Sequence, residues 1–115
     1  MSRIIEIRSY NLKPGSRENF DRIMRTEARP LLEQHGTDVV AARPSLAEEH
    51  AYYIIRAYRD AAERDASQEA FYGSAAWREG PREPVLACIE NYATIVIETD
   101  EATITGLRDE PDAQA

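Results

Sequence analysis

The chain has one cysteine, Cys88, and only two histidines, His35 and His50. One thiol cannot close an internal disulfide. Neither an H-x-x-x-H nor a C-x-x-C spacing is present, so no metal site is expected. A lone thiol fits a reducing compartment, and a cytoplasmic location is the expectation. No apolar run approaches the roughly 20 residues of a bilayer span. The opening MSRIIEIRSY lacks the apolar core of a secretory signal. No membrane partner is expected. Positive charge is scarce as well: 14 Lys and Arg stand against 21 Asp and Glu, a net charge of −7. That balance argues against a nucleic-acid partner, which requires a basic face to displace counterions. Residues 98–115 hold six acids and one base, Arg108. With little apolar surface to bury, residues 101–115 read as an acidic, mobile tail behind a single domain of residues 1–100.

What is present is ordinary globular composition, 43% hydrophobic and 30% charged over 115 residues, enough for one core. Residues 4–11 alternate as a strand does. Ile5, Ile7 and Ser9 point one way, and Ile4, Glu6, Arg8 and Tyr10 the other. Lys13-Pro14-Gly15-Ser16 is a turn, with Ser16 placed to cap a helix over residues 17–35. Phe20, Ile23, Met24, Ala28, Leu31 and Leu32 follow helical spacing there. Pro30 should kink this helix and Gly36 should end it. Residues 37–43 and 51–59 read as strands, the latter with Tyr52, Ile54, Arg56 and Tyr58 on one face. Asp60 and Glu63 form a capping box for a helix to about Tyr72. Gly73 breaks it, and Ser74 restarts a short turn through Trp77. Residues 85–91 suit a last helical stretch and residues 92–99 a fourth strand.

The order β-α-β-β-α-β is the ferredoxin-like split unit: an α+β fold, with a four-stranded antiparallel sheet and both helices on one face. Yet both sheet faces are apolar. Ile5, Ile7, Tyr53, Ile55, Ile95 and Ile97 share one side; Ile4, Tyr10, Tyr52, Ile54, Tyr58, Tyr92 and Val96 share the other. An uncovered apolar face of that size does not suit a monomer. A homodimer, packed sheet against sheet, is the expected partner arrangement.

Two segments have a family character: Glu6-Ile7-Arg8-Ser9-Tyr10-Asn11-Leu12-Lys13-Pro14-Gly15, and Arg29-Pro30-Leu31-Leu32-Glu33-Gln34-His35-Gly36. Tyr58-Arg59-Asp60 and the stretch from Ser74 to Trp77 fit the same pattern. Over roughly residues 3–99 the chain resembles the NIPSNAP family of the dimeric α+β barrel superfamily. The resemblance implies that the cleft between helices and sheet takes a small ligand, while the opposite sheet face builds the dimer. Strand parity offers Glu6, Arg8 and Tyr10 to that cleft. Glu6 and Arg8, two apart, share a face and suit an ion pair that satisfies two buried charges. Arg8 can grip a carboxylate or polarise a carbonyl. Tyr10 can donate to a developing oxyanion, or simply pack as a core aromatic. Arg56 has the parity to face the same cleft, and Phe71 and Trp77 are candidate walls or core residues. Cyclases similar in fold use Tyr and His in this region, which makes Tyr72 a candidate acid–base group. His35 stands at a helix C-terminus, where the dipole favours a cationic imidazole; its alternative role is proton carrier.

Haem-degrading enzymes of this fold use an Asn on the first strand and an aromatic and an axial His around the second helix. Here those positions align with Arg8, Phe71 and Pro81, and Pro81 cannot ligate iron. No cofactor is expected. The resulting reading is a small-molecule pocket, with cofactor-independent oxygenase, cyclase or isomerase chemistry on a carbonyl-bearing molecule. The alternative is a non-catalytic ligand-binding or assembly module.

Overall fold

A computed structural model describes residues 2–109. The elements run β1 (Ser2–Leu12), α1 (Arg17–Ile23), α2 (Arg29–Gln34), β2 (Asp38–Pro44), β3 (Ala51–Tyr58), α3 (Ala61–Tyr72), α4 (Ala75–Arg78), α5 (Arg82–Cys88), β4 (Ile89–Asp100) and α6 (Glu101–Leu107). The strands form one antiparallel sheet in the order β2-β3-β1-β4. This is the ferredoxin-like α+β arrangement that the element order predicts. No helix among the described residues is long and apolar enough to cross a membrane.

The first helical segment is interrupted by a π turn at Met24–Ala28, between α1 and α2. Its cause is close by. Pro30 has no N–H to donate, and its ring crowds the preceding turn of a regular α-helix. The chain responds by widening, so that the Arg29 N–H reaches the Met24 carbonyl five residues back. Gly15 and Gly36 take positive φ, +83° and +85°, as the turn after β1 and the end of α2 require. Asp60 caps α3, accepting from the Glu63 N–H at 2.9 Å, and Ser74 caps α4, accepting from the Trp77 N–H at 3.2 Å. Ser16 departs from expectation. It holds the N-cap position in helical rather than extended geometry, and its hydroxyl caps nothing. The helix expected over residues 85–91, α5, also ends early, at Cys88. Leu12 and Asn11 of β1 pair with Ile89 and Asn91 and draw those residues into β4.

On the helix-covered face, Tyr10, Leu12, Tyr52 and Ile54 of the sheet pack with Phe20, Ile23, Leu32, Phe71 and Trp77. Each such side chain contributes about 1.5–3 kcal/mol on burial. The other face brings the main correction. Residues 101–109 are not a tail. Asp100 caps α6, accepting from the Thr103 N–H at 2.8 Å. Ile104 is fully buried against Ile5, Val40, Ala41, Ile55 and Ala57. Asp109 then closes the segment: its carboxylate accepts from Arg29 at 2.9 and 3.0 Å and from the Ala42 N–H at 3.2 Å, and its own N–H donates to the Val40 carbonyl at 2.9 Å. The domain therefore extends past residue 100 to at least 109. The rest of the expected tail, residues 110–115, lies outside the described residues. α6 covers only one end of the second face. Ile95 and Ile97 on the outer strand remain 56% and 41% exposed.

Candidate functional site

β1 and β3 lie side by side in the middle of the sheet, and their register sets Glu6 directly opposite Arg56. Both are buried, at 0% and 1% exposure. An unpaired carboxylate there would be costly. Glu6 is instead saturated. Its Oε1 accepts two N–H bonds from Arg56, one of them at 2.9 Å. Its Oε2 accepts from Arg64 at 2.7 and 3.1 Å, from Gln68 at 2.7 Å and from Arg8 at 3.3 Å. Arg64 and Gln68 come from the inner side of α3. Burial pushes the Glu6 carboxyl up, but Arg56, the Gln68 hydrogen bond, Arg8 and Arg64 outweigh it and lower its pKa from 4.5 to about 2. Glu6 is a fixed anion that holds three guanidinium groups in place.

Two of those arginines carry the pattern outward. Arg56 donates to the Tyr72 hydroxyl at 2.8 Å, and Arg8 donates to the same oxygen at 3.4 Å. The hydroxyl thus accepts from both sides, and its own proton is left to point elsewhere. The Arg8 guanidinium also lies over the Tyr92 ring, 4.9 Å from its centroid. Tyr72 is wedged edge-on between Phe71 and Trp77, with ring centroids 5.0 and 5.3 Å away. Beside this array is a pocket of about 380 Å³, within the range of small-ligand sites. The sheet supplies Arg8, Tyr10 and Tyr92 to it; Gln68 and Tyr72 come from α3, Trp77 from α4 and Arg82 from α5. Val85, Leu86 and Ile89 complete an apolar side. Burial, aided by the neighbouring Tyr72, raises the Tyr10 hydroxyl to about 12, so it stays protonated at neutral pH.

The structure therefore brings Arg8, Tyr10, Tyr72 and Trp77 together on one pocket wall. Glu6 and Arg56 lie behind that wall, where they position Arg8 and Tyr72 but do not line the space. Phe71 is turned into the core, 2% exposed, so it supports Tyr72 and does not face a ligand. His35 is not at this pocket. Its Nδ1 lies 3.0 Å from the Leu31 carbonyl, and the residue borders a separate hollow with Arg3, Asp38, Tyr58 and Glu63. Its position ends α2 and excludes it from chemistry at Arg8. Gln68, Arg64, Arg82 and Tyr92 escaped sequence reasoning. Tyr92 alone had a signal, its shared sheet face with Tyr10, its partner in the register. Among the described residues, no group of three or more His, Cys, Asp or Glu gathers as metal ligands would.

Solved structures share this architecture. A NIPSNAP family protein from Agrobacterium tumefaciens is similar at 12% identity and TM-score 0.78, covering 86% of this chain and 87% of its own. An uncharacterized NIPSNAP-like domain protein from Burkholderia xenovorans is similar at 14% identity and TM-score 0.76, covering 83% of each chain. A putative antibiotic biosynthesis monooxygenase from Bordetella bronchiseptica is similar at 22% identity and TM-score 0.65, covering 88% of this chain and 98% of its own. At these identities the likeness is one of fold. No curated protein matches the chain. The NIPSNAP family model matches residues 5–98, which spans the sheet, the helices over it and the whole Glu6 network. The chain belongs to the NIPSNAP family.

Proposed function

We propose that this protein binds a small organic molecule bearing a carbonyl in the pocket between α3–α5 and the sheet, and acts on it without a cofactor. The observation that carries the reading is the Tyr72 hydroxyl, which accepts from Arg56 and Arg8 on the pocket wall. Those two bonds fix the oxygen and leave its proton as a donor. A carbonyl oxygen seated there would accept from Tyr72, and the neighbouring guanidinium of Arg8 would stabilise negative charge as it develops on that oxygen. Tyr10 adds a second hydroxyl on the same wall. Oxygenation, cyclisation and isomerisation all gain from such a polarised carbonyl. The test is to soak crystals with a panel of small ketones and enols and to assay the hits with Arg8→Ala, Tyr10→Phe and Tyr72→Phe. Loss of turnover with retained binding in Tyr72→Phe supports chemistry; full activity in all three variants sinks the assignment.

A homodimer is part of the same proposal. Ile95 and Ile97 stand exposed on the sheet face that α6 leaves open, next to half-buried Ile7 and Tyr53. A second copy of the same surface would bury them symmetrically. That exposure also favours the second reading, in which the protein serves assembly or ligand storage and the pocket has no turnover.

A further inference from the structure

The charge around the pocket does not balance. Glu6 is shared by Arg8, Arg56 and Arg64. Asp65 reaches Arg64 from the surface at 3.5 Å, which leaves Arg8 and Arg56 with Glu6 as their common counter-charge. Arg8 is the less satisfied of the two. Of its five N–H bonds, one reaches Glu6 at 3.3 Å and one reaches the Tyr72 hydroxyl at 3.4 Å. Its Nε is buried and has no acceptor at all among the described residues. A second guanidinium, Arg82, lines the same pocket from α5, and no carboxylate among the described residues does. Glu79 stands on the outer rim, in a shallow hollow with Tyr72, Arg78 and Arg82. So in a chain of net charge −7, the charged lining of this pocket is positive throughout the described residues. The rest of the lining is mixed: Gln68 and the tyrosines Tyr10, Tyr72 and Tyr92 offer flat rings or polar ends, and Trp77, Val85, Leu86 and Ile89 offer apolar surface.

Resting on the reading of this cleft as a ligand pocket, we propose that its ligand is an organic anion, a carboxylate on a flat apolar body. The carboxylate supplies negative charge to Arg8, which only shares Glu6, and to Arg82, which has no ion pair among the described residues, and guanidinium groups match its two oxygens geometrically. The flat body lies against the aromatic wall. Burying it in a site of low dielectric strengthens the ion pairing that selects it.

The experiment is titration calorimetry of the full chain with 2-naphthoate and with its uncharged isostere 2-naphthamide. The acid should bind at least about tenfold more tightly than the amide, the difference expected of charge-assisted hydrogen bonds. Arg8→Gln and Arg82→Gln should each erase most of that preference. Arg82 is exposed and outside the Glu6 cluster, so its variant tests the idea even if Arg8→Gln fails to fold. Equal binding of acid and amide overturns the anion assignment and leaves the pocket reading standing. A preference that survives in Arg82→Gln, and in any folded Arg8→Gln, also overturns it. Absence of binding by either compound at millimolar concentration overturns both.

Discussion

Glu6 and Arg56 face each other across the two central strands with neither side chain reaching solvent, and the arginine spans from that carboxylate to the Tyr72 hydroxyl. One buried ion pair thus ties the sheet to the pocket wall. Its removal should be felt in both.

Glu6→Gln keeps the shape and removes the charge, stranding Arg56 in the interior beside Arg8 and Arg64. Breaking a buried pair from one side costs about 3–5 kcal/mol. Urea denaturation should show that loss. A variant as stable as the parent would mean that the cluster is not the internal brace described here.

The same carboxylate makes stability depend on acid. Its pKa is lowered from 4.5 to about 2 in the folded protein. A group depressed on folding stabilises above its unfolded value, and that contribution disappears as pH falls through the folded value. The amount is about 3 kcal/mol, present above pH 4.5 and lost towards pH 2. Asp38 and Asp109 are also lowered, by Arg108 and by Arg29 with the Ala42 N–H respectively, each against its burial, and they add in the same direction. Denaturation curves taken at successive pH values should show the gap between parent and Glu6→Gln narrowing across that window. A constant gap would contradict the linkage.

Ile104 is the single fully buried side chain of α6, seated on Ile5, Val40, Ala41, Ile55 and Ala57. Ile104→Ala should cost about 2–5 kcal/mol through lost burial and the cavity it leaves. Thermal unfolding checks this. An unchanged midpoint would show that α6 does not hold to the sheet as described.

Ile95→Glu places a charge on the open sheet face, at a site already 56% exposed in the single chain. The fold of one chain should tolerate it, since surface changes there cost little. Self-association should not. Sedimentation equilibrium should find the parent dimeric and the variant monomeric, with matching circular dichroism. A parent that stays monomeric at high concentration would remove the case for a dimer.

Much of the framework is legible in a period of two and a few caps. Alternation alone puts Glu6, Arg8 and Tyr10 on one side of β1, with Tyr52 and Arg56 on the matching side of β3, and the register obeys it. Asp60 and Ser74 mark their helices because an N-cap is a local affair, decided within three residues. α6 was hidden for the opposite reason. The segment is short and sits in an acidic stretch, and the pair Ile104 and Leu107, three apart in seven residues, is too little of an apolar stripe to read. Only the sheet, by offering a socket for Ile104 and an arginine for Asp109, turns that segment into structure. Arg64 and Gln68 were missed likewise. α3 buries Phe71 alone among its apolar residues and points polar side chains inward, because Glu6 requires donors.

By itself the sequence determined the four strands, their faces, the helices that Asp60 and Ser74 cap and the placing of Arg8 and Tyr10 on one wall, since each follows from backbone geometry and nearest neighbours. Tertiary structure decided which charges share Glu6, that His35 stands away from the pocket, and that the acidic segment after β4 folds back on the sheet. The long-range contacts behind them join residues 50 to 80 apart in the chain, and burial supplies the penalty that forces polar groups at such separations to find one another.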